Sequence, residues 1–298
     1  MKILAGVVTY NRVDLLKECI ESLKRQTFSS FDILVVDNAS TDATSSYLSS
    51  LDGIIVRRLE KNLGGAGGFN FIARYAVNNR YDYIWLMDDD TIPDPTALEE
   101  LVKAKDELKN DFSFLSSYVK WTDGSGCEMN LNLISYDYRL EPLALLRKGF
   151  LALSGASFVS FFTKVELIRK IGLPIKDFFI WGDDYEFSLR LLKENMGYLI
   201  LDSTVVHKMK DNHAPNIKTD LESRVSRYFY YFRNNIYISR KQKGFKTTLA
   251  FTLEGIGIAF GLFFSGKFRR AHVAFKGILH GLFFNPKIEM PAPNKDSP

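Results

Sequence analysis

Cysteine is scarce in this chain. Cys19 and Cys127 are the two in 298 residues, too few for a disulfide-stapled scaffold; one bridge stays open, but a reducing compartment fits better. A dominant charge is lacking too: 39 Lys and Arg against 35 Asp and Glu leave +4, too mild for a nucleic-acid partner. The apolar run 249–264 is interrupted by Glu254 and falls short of the ~20 residues of a membrane span. The apolar start ends at Thr9-Tyr10-Asn11-Arg12, too soon for a signal peptide, so it reads as a buried first strand and the expected location is the cytoplasm. Repeats and low-complexity tracts are missing. What remains is globular, with 46% hydrophobic and 25% charged residues, which excludes disorder and collagen-like sequence. The length allows one large α/β domain with an appendage or two small domains. The little charge there is sits unevenly, since residues 240–298 hold ten basic and three acidic side chains.

Hydrophobic patterning predicts strands over 2–9, 31–37, 54–59 and 83–87, with helices over 12–26, 42–51, about 64–79 and 95–109. Buried strands alternating with helices and ending in polar residues indicate a parallel sheet covered by helices. Such sheets bind ligands beyond the carboxyl ends of their strands, where Asp37, Asn62 and Asp88-Asp89-Asp90 fall. Residues 111–150 are irregular and read as substrate-specific loops. A strand over 157–162, a short helix to Gly172, a helix opening within 178–187 and a strand over 197–206 follow. From residue 218 the pattern is helical, until a polar, Pro-containing tail at 291–298.

Three groups of residues could carry chemistry. Adjacent aspartates 88–90 repel one another unless a cation or a shared proton neutralises them, and a hard divalent ion suits their oxygens; a solvated turn capped by Asp94 is the bland alternative. Asp183-Asp184-x-Glu186 lies beside Phe178, Phe179 and Trp181. Desolvation there would raise a carboxyl pKa and suit a general base, but a helix cap with first-turn acids has the same pattern. His207, closing the last strand, is either a third metal ligand or a packing residue. The glycine-rich turn Asn62-Leu63-Gly64-Gly65-Ala66-Gly67-Gly68-Phe69 would let backbone approach a phosphate or sugar at a helix N-terminus. It matches neither the Walker pattern nor Gly-x-Gly-x-x-Gly.

Taken in order, Val7-Val8-Thr9-Tyr10-Asn11-Arg12, Val35-Val36-Asp37-Asn38-Ala39-Ser40-Thr41-Asp42 and Asp88-Asp89-Asp90 resemble the signatures of family 2 glycosyltransferases over residues 1–215. The Asn62–Phe69 turn, Trp181-Gly182-Asp183-Asp184-Tyr185-Glu186 and His207 resemble the galactofuranosyltransferase branch, with related rhamnosyltransferases close by. The resemblance implies a GT-A fold, Rossmann-like, with a mostly parallel central sheet under covering helices and a C-terminal helical extension. It implies a catalytic domain over 1–217, with the nucleotide-sugar bound by 1–110 and the acceptor by 111–217. Thr9, Tyr10, Asp37 and Asn38 would hold base and ribose, with Asn11, Arg12, Asn62, Gly65, Gly67, Gly68, Asp89 and Trp181 completing the donor site. Asp88, Asp90 and His207 would bind Mn²⁺ or Mg²⁺. Asp184 would be the base and Asp183 would position the acceptor. The branch's Trp-Asp-Asp is here separated by Gly182, which leaves the choice between the two aspartates open. The Gln-x-x-Arg-Trp mark of processive synthases is missing.

The expected reaction is inverting transfer of galactofuranose from UDP-galactofuranose, with dTDP-rhamnose as the second choice of donor, in bacterial cell-surface polysaccharide synthesis. A sugar nucleotidyltransferase is the remoter alternative. The acceptor would be a glycan or lipid-linked glycan. Ala271, Phe275, Ile278 and Leu282 share one helical face and Arg269, His272, Lys276 and His280 the other. That pattern implies peripheral attachment of 218–298 to the inner face of the plasma membrane, or packing against the catalytic domain or a second copy of the chain.

Overall fold

The computed structural model describes residues 1–129, 132–135 and 143–291; the Pro-containing tail beyond them lies outside the described residues. Its first strand, Ile3–Thr9 (β1), is buried along its whole length. A strand alternates its side chains between two faces, and both faces of β1 are covered. Ile3, Ala5 and Val7 meet Leu16, Cys19, Ile20 and Leu23 of helix Val13–Lys24 (α1). Leu4 and Val8 face the other core, built on Phe69, Ile72, Ala73 and Ala76.

The next elements are Phe31–Asp37 (β2), Thr44–Ser49 (α2), Ile55–Arg58 (β3), Gly64–Asn78 (α3) and Tyr83–Asp88 (β4). Strands β3, β2, β1 and β4 are neighbours in that order and all parallel, as the alternation of apolar runs and helices predicts. Thr91–Pro93 (β5), Ala97–Glu107 (α4), Phe114–Lys120 (β6), Leu133–Ile134 (β7), Leu143–Arg147 (α5), Phe150–Gly155 (β8), Phe161–Lys164 (β9), Val165–Ile171 (α6), Asp183–Leu191 (α7) and Gly197–His207 (β10) complete the α/β part. The sheet continues β4-β9-β6-β10-β8-β7, with β5 added against β10. Only β6 and β10 are parallel to each other in this half; β9, β8 and β5 run antiparallel to their neighbours.

Two expectations change here. The stretch 111–150 is not loop throughout, because β6 and the start of β8 lie within it. Buried Ser116 and Ser117 hide β6 from a reading of hydrophobic alternation. The strand expected at 157–162 begins at Phe161, after Ser160 takes a positive φ of 58°.

Beyond β10 come Tyr228–Ile238 (α8), Phe245–Phe264 (α9) and Phe268–Phe283 (α10). Gly277 and Gly281 bring α10 onto the backbone of α8 at Phe229 and Arg233, where a Cβ would collide. Helix α9 has 20 residues, about 30 Å, and is long and apolar enough to cross a membrane; the sixteen-residue run understates it because Phe245–Thr248 extend the helix. Its seam of Thr248, Thr252, Gly255, Ala259 and Leu262 is buried, while Leu249, Leu253, Phe260, Phe263 and Phe264 are exposed. The apolar face expected on α10 is also redrawn. Ala271 and Ile278 pack inward with Phe232 and Ile236, leaving Phe268, Leu279, Leu282 and Phe283 outside. Arg269, expected on a free basic face, pairs with Glu222, as does its neighbour Arg270.

Candidate active site

Strand β4 is apolar from Tyr83 to Met87 and ends at Asp88, in register with Val8 of β1. The chain then turns into β5, whose Thr91 pairs in register with His207 of β10. This crossing delivers His207 to the aspartates: Nε2 lies 2.9 Å from Asp90 Oδ1, and the Lys208 amide donates to the Asp90 carbonyl. One ligand atom each from Asp88, Asp90 and His207 lies within 4.8 Å of the others. Two carboxylates and an imidazole on such spacing fit a divalent cation.

Electrostatics account for the metal-free arrangement. Burial and the Asp90 charge raise Asp88 to about 7, and burial and Asp90 likewise raise Asp89 to about 6. For Asp90, burial is outweighed by the hydrogen bond and charge of His207 and by Arg12, and its pKa falls to about 2. His207, despite its burial, is raised to about 10 by its bonds to Asp90 and Cys127 and by the nearby carboxylates. Arg12 Nη1 donates to Asp90 Oδ2 at 2.6 Å, and Thr9 Oγ1 to Asp89 Oδ2 at 2.8 Å. To hold a divalent cation His207 would have to be unprotonated, and the cation would compete with Arg12 for Asp90. Cys127, whose Sγ is 3.7 Å from His207 Nδ1, holds the other face of the ring; no sequence motif marks it.

The loops beyond β1 and β2 are knitted together. Asn11, at a positive φ of 55°, donates its backbone N–H to Ser40 Oγ, and its Oδ1 accepts from the Thr41 amide at 2.7 Å. Asp37 is fully buried, accepting from the Ser40 amide and from Arg58 Nη1 at 2.8 Å. Asn38 is also buried: Nδ2 donates to Asn62 Oδ1 and to the Gly64 carbonyl, and Oδ1 accepts from the Leu63 amide. Asp37 and Asn38 thus have protein partners at each polar atom named here, an arrangement their motif does not reveal. Tyr10 stands exposed beside them.

The glycine-rich turn is corrected most. Its amides were expected to face a phosphate, but Leu63 N, Gly64 N and Ala66 N donate to Asn38, Asn62 and the Phe179 carbonyl. A Cβ on Gly67 would collide with Leu63, and one on Gly68 with Val8 of β1; only Gly65 has ordinary space around it. Gly64, at φ +72°, gives its room to the Phe179 carbonyl. The glycines therefore serve the close seating of α3 on the sheet and on the segment 178–182.

That segment leads to the second acidic pair. Phe179 and Trp181 take positive φ values of 64° and 65°, a conformation costing bulky residues on the order of 1–3 kcal/mol each. Gly182 follows at φ 88° and caps α7. Asp183 and Asp184 then open that helix. Asp183 is buried and held well above the ordinary carboxylate range by desolvation, then by Asp184 and Asp88. Desolvation also raises Asp184, but accepted backbone N–H bonds from Tyr185 and Phe158 oppose it. Glu186 does not join them. It is fully buried against Arg190 Nε at 2.9 Å, and Arg190 also donates to the Ile171 and Leu173 carbonyls. Trp181 packs edge-on to Tyr228 and Tyr231 of α8.

With this geometry in hand, three comparisons bear on the chain. The model of glycosyl transferase family 2 matches residues 5–172. Galactofuranosyltransferase GlfT1 of Mycobacterium tuberculosis is 26% identical over 275 residues, covering 83% of this chain and 85% of the relative. The uncharacterized glycosyltransferase YwdF of Bacillus subtilis is 28% identical, over 76% and 81% of the two chains. Among solved structures, S. aureus TarS 1–349 with UDP-GlcNAc superposes at a TM-score of 0.55, with 18% identity, over 80% of this chain and 67% of that one. Against the longer TarS chain the coverage is 40% of that chain. GalNAc-T7 with UDP, GalNAc and Mn²⁺ superposes at 0.55 with 15% identity, over 80% of this chain and 50% of its own. These likenesses are to GT-A glycosyltransferases, and the fold is theirs.

Proposed function

This chain belongs to glycosyl transferase family 2, and from that premise we propose that it transfers galactofuranose from UDP-galactofuranose to a glycan or lipid-linked glycan with inversion at the anomeric carbon. The observation that carries the reading is the convergence of Asp88, Asp90 and His207 at one end of the sheet, close enough that the Asp88 charge acts on Asp183. The preference for galactofuranose rests on the likeness to GlfT1 over most of both chains and on the Trp181–Glu186 motif.

In this reading residues 1–110 bind the donor and 111–217 the acceptor. Asp88, Asp90 and His207 would hold Mn²⁺ or Mg²⁺, which would supply positive charge to offset that of the departing diphosphate. Thr9 and Arg12 keep Asp89 and Asp90 in place. Tyr10 offers an exposed ring to the nucleotide base. Asp184 takes the proton of an acceptor hydroxyl as that oxygen bonds to the anomeric carbon; the carbon–oxygen bond to UDP breaks and its electron pair leaves with the diphosphate. Burial raises both carboxyls, Asp183 further through Asp184 and Asp88, while accepted backbone N–H bonds favour the charged form of Asp184. Asp184 is therefore the better placed to take the proton and Asp183 to position the acceptor.

The exposed apolar residues of α9 and α10, together with Lys246, Lys267 and Lys276, support a peripheral place at the inner face of the plasma membrane, where a lipid-linked acceptor is found. The test of function is a panel of nucleotide-sugars, UDP-galactofuranose and dTDP-rhamnose included, assayed for metal-dependent hydrolysis and thermal stabilisation. UDP-galactofuranose should give the largest response in both. A larger response to dTDP-rhamnose would replace the donor, and formation of a nucleotide-sugar from UTP and a sugar phosphate would replace the reaction.

A further inference from the structure

The segment before α7 holds two bulky residues in the left-handed region, Phe179 and Trp181, directly ahead of the acidic pair. Such a conformation persists only where the surroundings hold it, and five of the bonds that hold it come from Arg233 and Asn234 of α8, outside the α/β part. Asn234 of α8 is fully buried. Its Nδ2 donates to the carbonyls of Phe178 at 3.1 Å, Ile180 at 3.1 Å and Trp181 at 2.8 Å. The amide's orientation is set by its neighbour, since Arg233 Nε donates to Asn234 Oδ1 at 2.9 Å and leaves the NH₂ end facing the segment. Arg233 Nη2 adds bonds to the Asp177 and Phe178 carbonyls, with its guanidinium 3.9 Å from the Phe284 ring centroid. From the opposite side, the Ala66 amide donates to the Phe179 carbonyl in the space Gly64 leaves.

We propose that Asn234, oriented by Arg233, is a positioning residue for the transfer reaction: it locks the 178–182 strap from above, and so sets where Asp183 and Asp184 stand relative to the metal-binding aspartates. The C-terminal helices are then part of the catalytic apparatus and not an appendage to it. This rests on the acidic pair serving the acceptor, as argued above. These bonds of Asn234 and Arg233 go to the backbone of 177–181 and none of them goes to the donor-binding residues 1–110, so the effect falls on kcat and acceptor use, while UDP binding is spared.

The experiment compares wild type with Asn234→Ala, Asn234→Asp and Arg233→Ala in two readouts. The first needs no activity: amide hydrogen exchange across 177–187. Asn234→Ala should speed exchange there while β1, β2 and β4 stay protected, and Asn234→Asp, which sets a carboxylate against three carbonyls, should do so more. The second is kinetic. Transfer kcat should fall about 10- to 100-fold, with Mn²⁺-dependent UDP affinity within about twofold of wild type. Arg233→Ala, less buried, supplies the same readouts if the Asn234 variants do not fold, with a smaller effect. Unchanged exchange at 177–187, or loss of UDP affinity in step with kcat, overturns the clamp. Faster exchange in a protein whose wild type transfers no sugar leaves the clamp standing and removes the functional reading instead.

Discussion

At the scale of single residues, the carboxylate–histidine cluster is a set of protons held against their ordinary affinities. Asp88 and Asp89, raised to about 7 and about 6, bind more protons in the folded chain than in the unfolded one. Their contribution is complete below about pH 4 and is lost as pH climbs through those values. His207, raised to about 10, has the same sign: its contribution is complete below about pH 6.5 and fades towards 10. Asp90, lowered to about 2, has the opposite sign and is lost only in acid. In chelator, the thermal midpoint should therefore fall between about pH 6 and about pH 8.5, by roughly 2–4 °C for each kcal/mol lost. Saturating Mn²⁺ should raise the midpoint more at the higher pH, because fewer protons compete for the ligands. A midpoint that climbs with pH in chelator would sink this account. The acidic pair makes a second claim at this scale. Asp184→Asn should cut transfer by about 10²–10⁴-fold with donor binding nearly unchanged, whereas Asp183→Asn should act more on acceptor KM. The reverse pattern in a transfer assay would exchange their roles.

At the scale of elements, helices α9 and α10 each have a small-residue seam turned inward and large apolar side chains turned out. Phe264 and Phe283 are 82% and 78% exposed, and large apolar side chains left outside together are what a membrane or protein partner covers. Basic residues near an anionic bilayer contribute about 1 kcal/mol each, screened by salt. The unaltered chain should co-sediment with phosphatidylglycerol vesicles, and Leu249→Glu with Leu253→Glu, which changes the outer face of α9 while leaving its buried seam intact, should abolish that. If neither protein sediments and light scattering shows a dimer that the substitutions dissolve, the face belongs to a second copy. Deleting α9 and α10 is the poorer experiment, because Phe232 and Ile236 of α8 pack on them. The same reasoning explains the redrawn face of α10: helical periodicity locates an apolar stripe but cannot say whether a bilayer or a neighbouring helix covers it, and here Gly277 and Gly281 admit α8.

At the scale of the whole molecule, the parts legible in the sequence are those governed by local rules. The apolar runs ending at Thr9, Asp37 and Asp88 mark the parallel strands and the ligand-binding edge, because burial of a strand on both faces leaves a pattern in the chain itself. The adjacency of Asp88, Asp89 and Asp90 is likewise a property of sequence, and with the ordered motifs around it leads to the family. What the sequence could not decide are pairings between distant segments. His207 reaches Asp90 only through the antiparallel match of β10 with β5, and β6 and β9 enter the sheet by partners far along the chain. The glycines of 64–68 read as a cradle for phosphate, yet three amides of the turn already have protein acceptors, and the space belongs to Val8, Leu63 and Phe179. Asn234 carried no signal at all, since a buried amide in a helix looks like any other polar residue until three carbonyls are found around it. Local composition determined which segments are strands and where their carboxylates lie; only the tertiary structure decided which groups meet, because hydrogen bonds and desolvation depend on distances that the order of residues does not contain.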